Sequence, residues 1–230
     1  MSLFAIADLH LSLGADKPMD IFKGWENYTE KIENNWRKVV SENDTVVIAG
    51  DVSWSMSLSN LSADFKFIQA LPGRKLIIKG NHDYWWDTMT KMKNYIKNSG
   101  FNTIEIIHNS AEKVDGVDGI AVCGTRGWFY DAAGDKKILM REAARLETSI
   151  SIAEKAGLEP VVFLHYPPFC VGYCCTEIME VLKAHNVRRC YFGHLHGRAA
   201  ATAFEGEHEG ILFRLISCDH TGFAPIIVQN

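Results

Sequence analysis

The chain alternates short apolar runs with stretches that carry apolar residues at helical spacing. Eight short runs, mostly apolar and rich in β-branched residues, predict β-strands. They are Leu3–Ala7, Thr45–Ala49, Leu76–Ile78, Thr103–Ile107, Ile120–Cys123, Val161–Leu164, Cys190–Phe192 and Ile211–Ile216. The order of strands and helices in the first half predicts parallel pairing through crossover helices, whereas the closer strands of the last third predict antiparallel neighbours.

Between these runs, apolar side chains recur three or four positions apart and predict helices. The stripes are Ile32, Trp36, Val39 and Val40; Leu61, Phe65 and Ile68; and Met89, Met92 and Ile96. Two further helices are predicted over Lys136–Ala156, ending at Gly157 before Pro160, and over about Thr176–His185. No repeat, linker or low-complexity stretch divides the chain, so residues 1–230 are expected to form a single mixed α/β domain.

Composition narrows the classes of function. The 230 residues include 24 basic and 28 acidic side chains, and the net charge of −4 disfavours non-specific nucleic-acid binding. The N-terminus has no basic region, Asp8 interrupts its apolar run, and no segment is long and apolar enough for a membrane helix, so we expect a soluble cytoplasmic protein. The six cysteines include no Cys-x-x-Cys pair and are expected to be reduced, although the vicinal Cys174 and Cys175 leave redox activity open.

After five of the predicted strands, polar residues of a restricted kind begin within three positions of the strand end. These residues are Asp8 and His10; Asp51; Asn81, His82 and Asp83; His165; and His194 and His196. Because ligands bind outside the carboxyl ends of strands in open α/β sheets, the side chains can converge on one point. Residues two apart on an extended backbone point the same way, so Asp8 and His10 are predicted to bind one ion, and His194 and His196 to face the same site.

The chemistry of these residue types indicates a metal site. Carboxylates, imidazoles and amide carbonyls are ligands for borderline to hard divalent metals, and the absence of a thiolate from the set disfavours a structural zinc cage. Two divalent ions would bring four positive charges against the two negative charges of Asp8 and Asp51, which leaves roughly two positive charges. Such a site attracts a phosphate dianion and acidifies a bound water.

Each motif has an ordinary alternative explanation. The segments 8–10 and 50–51 are, taken alone, typical of surface turns. The segment 81–83 can be the start of a helix, and the two histidines of 194–196 can belong to a solvated loop. The joint occurrence of all five features, in this order and at strand ends, favours the functional interpretation.

Together these motifs span residues 8–196 and resemble those of the calcineurin-like metallophosphoesterase superfamily. The segments 81–86 and 124–128 resemble a bacterial branch of uncharacterised predicted phosphohydrolases. The resemblance implies a four-layer α/β/β/α sandwich with two mixed β-sheets. It also implies two divalent metal ions between the sheet ends, Mn²⁺ or Fe in the usual case, with Zn²⁺, Ni²⁺ or Mg²⁺ as other choices.

The resemblance also implies roles for the individual residues. The first metal would be held by Asp8, His10, Asp51 and His196, and the second by Asp51, Asn81, His165 and His194. His82 would sit beside the phosphate, with Asp83 orienting its ring. A water bridging the ions would lose a proton and attack phosphorus, while protonated His82 would stabilise charge or protonate the leaving group.

The sequence defines the identity of the substrate less closely than it defines the reaction. We expect a phosphate mono- or diester of a small molecule, with a nucleotide as one option, and Arg126 would clamp a second anionic group. Several aromatic residues lie near the motifs and either stack on a base or pack in the core or at the rim. They are Trp54, Trp85, Trp86, Trp128, Phe129 and Tyr130.

Two alternatives stay open at this stage. The first is a nuclease, which the low positive charge and the short chain disfavour. The second is a non-catalytic binding or scaffold protein of the same fold, which the complete ligand set and His82 disfavour. A protein-phosphatase role is also disfavoured, because Ser55 stands where that branch of the superfamily carries an arginine. The sequence leaves the oligomeric state open.

Overall fold

A computed structural model describes residues 1–128 and 136–230 of the chain. The strands are β1 (Leu3–Ile6), β2 (Thr45–Ala49), β3 (Arg74–Ile78), β4 (Ile104–Ile106), β5 (Ala111–Lys113), β6 (Ile120–Thr125), β7 (Glu159–Leu164), β8 (Phe169–Cys170), β9 (Tyr173–Cys174), β10 (Arg189–Phe192), β11 (Gly206–His208), β12 (Ile211–Leu215) and β13 (Ile226–Gln229). The helices are α1 (Tyr28–Val39), α2 (Ser62–Gln69), α3 (Met89–Asn98), α4 (Lys136–Lys155) and α5 (Thr176–Ala184). No helix within the described ranges has the length and apolar character needed to cross a membrane.

The first sheet has five strands in the order β13-β1-β2-β3-β4. Strands β1 to β4 run parallel, and β13 pairs with β1 as an antiparallel edge. Each connection between parallel neighbours contains one of the helices α1, α2 and α3. The parallel, crossover-connected first half predicted from the sequence is therefore confirmed.

The second sheet has six strands in the order β11-β12-β10-β7-β6-β5. Its four inner strands are parallel, while β5 and β11 pair antiparallel at the edges. The expectation of antiparallel neighbours in the last third is wrong for β7, β10 and β12. Between β10 and β12 the chain returns through the 3₁₀ segment Gly197–Thr202 and the edge strand β11, so β12 enters the sheet in the direction of β10.

Three apolar clusters show how sheets and helices are layered. Along β1, Leu3 and Ala5 face the second sheet, whereas Phe4 and Ile6 face the helices α1 to α3. The cluster between the sheets joins β1, β2 and β3 to β6, β7 and β10. Helices α4 and α5 cover the outer face of the second sheet through a third cluster. The observed architecture is the α/β/β/α arrangement with two mixed sheets.

The end of α4 shows how local sequence positions an element of the sheet. Gly157 has φ 71°, and the amide of Leu158 donates to the carbonyl of Ala153 at 3.0 Å, which closes the helix as the glycine predicts. Strand β7 then begins at Glu159. The strands β5, β8, β9, β11 and β13 are not predicted, because each has only two to four residues and too few alternating positions to form a pattern.

Candidate metal centre

Side chains from both sheets meet at the carboxyl ends of β1, β2, β7 and β10. Among the described residues, two groups have potential ligand atoms that all lie within 4.8 Å of one another. The groups are Asp8, His10 and His196, and Asp51, His165 and His194. Each group therefore takes residues from the first sheet and from the second. All six belong to the expected ligand set, and their role as ligands stays a prediction.

Four of these residues have left-handed backbone angles. The angle φ is 62° at Asp8, 45° at His10, 51° at Asp51 and 73° at His194. The extended backbone expected for residues 8–10 is therefore wrong, because the chain turns sharply after β1 and the turn itself brings both side chains into one group. Such angles are uncommon outside glycine, and their concentration at one place is typical of a functional site.

Two glycines let the loops pack closely at the site. A Cβ atom at Gly193 would overlap the Asp8 carboxylate, and one at Gly80 would overlap Asp51. The close approach brings the backbone amide of His194 to 2.9 Å from Asp8 Oδ2, where it donates a hydrogen bond. Glycine at both positions thus has a steric cause, namely the room taken by the two carboxylates.

The ring of His196 links the first group to a carboxylate outside it. Its Nδ1 atom lies 3.1 Å from Asp219 Oδ1, and its Nε2 atom lies 3.2 Å from both Asp8 Oδ1 and His10 Nε2. Asp219 also accepts a hydrogen bond from the Gly197 amide at 2.9 Å, which fixes its carboxylate. A carboxylate placed behind a histidine in this way orients the ring and raises its basicity in metal sites.

In the second group, His165 is held by the backbone. Its Nδ1 atom lies 3.1 Å from the carbonyl oxygen of Ala49, so the hydrogen-bond pattern assigns the ring proton to Nδ1. The Nε2 atom then presents a lone pair to Asn81 Oδ1 at 2.6 Å and to Asp51 Oδ2 at 3.4 Å. Atoms that carry lone pairs repel one another at these distances unless a shared cation or proton compensates.

This set of donors fits divalent metal ions. Both groups combine imidazole nitrogen with carboxylate oxygen, and neither contains a cysteine. The thiol of Cys218, which is close by, donates to the Asp8 carbonyl oxygen at 2.9 Å and is thereby occupied. The lone pairs of His165 and Asn81 that face each other are the observation that a bound cation explains best.

Burial and neighbouring charges set the proton affinities of the side chains themselves. Burial, reinforced by Asp8, raises the pKa of Asp51 to about 8. Burial lowers the pKa of His10 to about 3. For His196, burial acts in the same direction, but Asp8 and Asp219 outweigh it and raise its pKa to about 10. Most imidazoles of the site are thus ready as neutral ligands, whereas His196 must release a proton to bind a cation.

His82 lies beside the two groups and belongs to neither. Its ring centroid is 5.7 Å from that of His10 and 4.4 Å from the ring of Trp54. Its Nδ1 atom lies 3.2 Å from the Tyr84 hydroxyl, and burial lowers the pKa of the ring. Since the side chain is only half-buried, it can meet a ligand bound at the neighbouring groups.

Asp83 has a different environment from the one expected. Among the described residues its carboxylate is bonded not to the His82 ring but to two loops. Oδ2 accepts from Gly80 N at 2.7 Å and Asp51 N at 3.0 Å, and Oδ1 accepts from Val52 N at 2.8 Å and Trp85 Nε1 at 3.0 Å. The orienting role expected for Asp83 is corrected accordingly: this buried carboxylate ties the loop after β2 to the loop after β3.

Arg126 directly follows β6, the strand beside β7. Its guanidinium carbon lies 4.8 Å from the ring centroid of Trp128, and its side chain is largely buried. Its carbonyl oxygen accepts from the amide of Tyr166 at 2.9 Å, which joins this loop to the residue after His165. Arg126 is therefore on a loop next to the second group.

The aromatic residues singled out from the sequence fall into different environments. Trp54 stacks on the ring of His10 with centroids 5.0 Å apart. Trp85 is buried in the core beneath α1 to α3, and Trp86 packs against it at 5.3 Å. Phe129 and Tyr130 lie outside the described residues. Of the described tryptophans near the motifs, Trp54 is thus in direct ring contact with the candidate site.

Asp219 is a residue of this site that the sequence motifs do not include. It comes four positions after the end of β12 at Leu215. An acidic residue shortly after an apolar run is the same signal that marks the other strand ends, so it was available in the sequence. The three intervening residues 216–218 hide it, because the chain continues through an isolated bridge between Ser217 and Ala7 before it reaches the site.

The architecture and the paired ligand groups define the class of this protein: an α/β/β/α protein with potential metal ligands where its two sheets meet. The family model described as calcineurin-like phosphoesterase matches residues 1–198. The chain belongs to that family, whose members act on phosphorylated substrates and normally bind divalent metals. The resemblance seen in the sequence motifs is thereby confirmed. No curated protein matches the chain.

Solved structures with the same fold cover nearly the whole chain. A protein of unknown function from Aquifex aeolicus, AQ665, is 17% identical with a TM-score of 0.52, covering 98% of this chain and 95% of its own. The phosphopantetheinyl hydrolase of Mycobacterium tuberculosis is 12% identical with a TM-score of 0.53, covering 99% and 95%. The protein TT1561 of Thermus thermophilus is 14% identical with a TM-score of 0.54, covering 98% and 87%. At these identities the likeness shows the fold alone.

Proposed function

We propose that this protein hydrolyses a phosphate ester of a small molecule at a centre of two divalent metal ions. One observation carries the proposal. A single oxygen, Asp51 Oδ2, lies 3.8 Å from His10 Nε2 in the first group and 3.4 Å from His165 Nε2 in the second. A carboxylate within reach of both groups is what two adjacent cations require as a shared anionic ligand.

On this proposal, the ligand residues divide into two sets. Asp8, His10, Asp51 and His196 would hold one ion, and Asp51, Asn81, His165 and His194 the other. Bound there, the ions would supply positive charge that attracts a phosphate group and lowers the pKa of water. Nitrogen and oxygen donors of this kind suit Mn²⁺ and Fe, with Zn²⁺, Ni²⁺ and Mg²⁺ as further choices.

His82 is the proposed catalytic side chain. It is half-buried next to the His10 ring, so a phosphate group held at the two groups would come within its reach. Protonated, His82 would stabilise charge on the phosphate or donate a proton to the leaving oxygen. The Tyr84 hydroxyl lies 3.2 Å from Nδ1 and would orient the ring, which is the role that the sequence assigned to Asp83. Asp83 would act indirectly, by holding the loop that carries His82.

Metal content and turnover test the proposal together. The protein is loaded with Mn²⁺, its metal is counted by elemental analysis, and hydrolysis of p-nitrophenyl phosphate, bis-p-nitrophenyl phosphate and a panel of phosphorylated metabolites is measured. The panel includes a phosphopantetheinylated compound because of the name of one structural neighbour. Two bound ions with turnover support the proposal. Fewer than two ions, or two ions without turnover of any phosphate ester, would overturn it.

Variants separate the roles of the side chains. Asp51→Asn should lose metal, because it removes the shared anion. His82→Ala should keep both ions and lose about 10²- to 10⁴-fold in kcat on an alkyl phosphate. It should lose less on p-nitrophenyl phosphate, whose leaving group needs no proton. His185→Ala is the matched control, because His185 pairs with Glu154 at 2.9 Å and lies outside both groups. Equal losses of His82→Ala on both esters would remove the leaving-group role.

A further inference from the structure

A second polar cavity lies next to the candidate metal centre. It has a volume of about 240 Å³ and opens between the ends of β3 and β6 and the helix α4. The residues that matter for its chemistry are Lys79, Thr125, Arg126, Arg141, Glu142 and Arg145. We refer to it as the basic pocket.

The basic pocket has an excess of positive charge. Of its described lining residues, Lys79, Arg126, Arg141 and Arg145 are cationic, and Glu142 is the single carboxylate. Within the described part of the chain, neither Lys79 nor Arg141 forms an ion pair. The four cationic side chains lie in one pocket although the whole chain has a net charge of −4. Like charges gathered in one cavity repel, so an anion bound there would be strongly stabilised.

The pocket is built by a buried carboxylate. The side chain of Glu142 is 0% exposed. Its Oε2 atom accepts from Thr125 Oγ1 at 2.6 Å, and its Oε1 atom accepts from Arg145 Nη1 at 2.6 Å and lies 3.7 Å from Arg126 Nη2. Glu142 therefore fixes two guanidinium groups from one side and leaves their other N–H groups available to a ligand.

The guanidinium of Arg126 also has a buried hydrogen-bond donor without an acceptor among the described residues. Its Nε atom is buried, and no described residue accepts a hydrogen bond from it. Its guanidinium is held in place by the ring of Trp128. A buried N–H group of an arginine without an acceptor is costly, and a bound oxyanion would supply the acceptor.

The basic pocket shares its loops with the candidate metal centre. Lys79 stands two residues before Asn81, and the carbonyl of Arg126 accepts from Tyr166, the residue after His165. Since β3, β6 and β7 end at the same edge of the two sheets, the pocket and the ligand groups face the same side of the molecule. These shared loops would let one substrate extend from the ligand groups into the pocket.

We propose that the basic pocket binds a second phosphate group of the substrate, so that the preferred substrates are small molecules with two phosphate groups. The inference rests on the proposed function, because the first phosphate group is the one hydrolysed at the metal ions. Guanidinium groups fixed from behind can each donate two parallel hydrogen bonds to a phosphate. Glu142 acts as a positioning residue for these arginines.

Calorimetric titration with inorganic phosphate tests the pocket without relying on turnover. The Mn²⁺-loaded protein should bind two phosphate ions, one at the metals and one in the pocket. Asp51→Asn should keep the pocket site and lose the other. Arg126→Gln and Arg141→Gln should each weaken the pocket site by about 10- to 100-fold and keep the metal site. Arg141→Gln stays informative if Arg126→Gln unfolds, because Arg141 makes no ion pair with Glu142.

The matched control is Arg214→Gln. Arg214 is an exposed arginine on β12, which the two strands β10 and β7 separate from the pocket strand β6. The substitution Arg214→Gln removes the same charge as the pocket variants and should change the affinity of neither phosphate site. A single phosphate site that Asp51→Asn abolishes would overturn the pocket and leave the proposed function intact. A pocket site that survives in a protein without metal-dependent turnover would overturn the proposed function and leave the pocket intact.

Kinetics provide the second readout. For a sugar bisphosphate and its matched monophosphate, the wild type should show a KM about 10- to 100-fold lower for the bisphosphate. Arg141→Gln should reduce that ratio towards one by raising the KM of the bisphosphate, with the monophosphate little changed. Equal KM values for the two esters in the wild type, or a ratio that Arg141→Gln leaves unchanged, would contradict the proposal.

Discussion

The substitution Asp83→Asn should loosen both loops that carry ligand residues. The wild-type carboxylate accepts four hydrogen bonds of 2.7 to 3.0 Å from three backbone amides and the Trp85 indole, and Oδ1 accepts a longer fifth one from the Ser53 amide at 3.4 Å. Asparagine keeps one carboxamide oxygen and places an NH₂ donor where the second oxygen was. Two N–H groups in a buried position therefore lose their acceptor, and they face another donor.

The size of the effect follows from these contacts. A buried donor left without a partner costs about 1–3 kcal/mol, so two of them cost about 2–6 kcal/mol of unfolding free energy. Removing a buried negative charge offsets part of that cost, and we expect a net loss of about 2–4 kcal/mol. Because Asp83 also holds the amide of Asp51, affinity for Mn²⁺ should fall about 10- to 100-fold.

Urea unfolding with a chelator present, followed by Mn²⁺ titration of the folded variant, measures both effects. Asp87→Asn is the control: its carboxylate pairs with Lys91 at the surface at 2.8 Å, so stability should change little. If Asp83→Asn left stability and Mn²⁺ affinity unchanged and lowered kcat as His82→Ala does, the loop-tying role would be refuted. The orienting role expected from the sequence would then be restored.

Three further expectations follow from the structure. Asp219→Asn should weaken Mn²⁺ binding about 10- to 100-fold by releasing His196, with little loss of stability, as measured by metal titration and thermal melting. Lys75 is fully buried, and burial lowers its pKa to about 8 from 10.5, so the unfolded chain binds more protons between these values and the free energy of unfolding should rise with pH in that window. Relative to Lys75→Met, which lacks this titration, the gain between pH 8 and pH 10.5 should approach about 3 kcal/mol in denaturant unfolding, and a flat difference would contradict it. Of the six thiols only that of Cys174 is exposed, so Ellman's reagent should modify one thiol rapidly in the native protein and none in Cys174→Ser.

The strand ends could be predicted because the relevant information is local. An apolar run followed by Asp, Asn or His is visible in a few consecutive residues, and Asp51 and His165 both stand within two positions of the end of such a run. The same holds for α4 and its end at Gly157. These features depend on side-chain type and backbone preference within one segment, which a single sequence contains.

Features that depend on distant segments could not be predicted in this way. The amide of His194 donates to Asp8, which lies 186 positions away, and the turned backbone of residues 8–10 depends on that packing. Asp83 accepts from the amides of Asp51 and Val52 in the distant loop after β2, so its position beside His82 in the sequence was misleading. The parallel pairing of β10 with β12 depends on an edge strand of three residues that has no clear pattern.

Because each ligand group joins the two sheets, a nascent chain has no complete group until synthesis has passed His194. An N-terminal fragment ending at β5 would contain Asp8, His10, Asp51 and Asn81 and none of the imidazoles supplied by β7 and β10. Metal uptake would therefore report that both halves of the chain have docked.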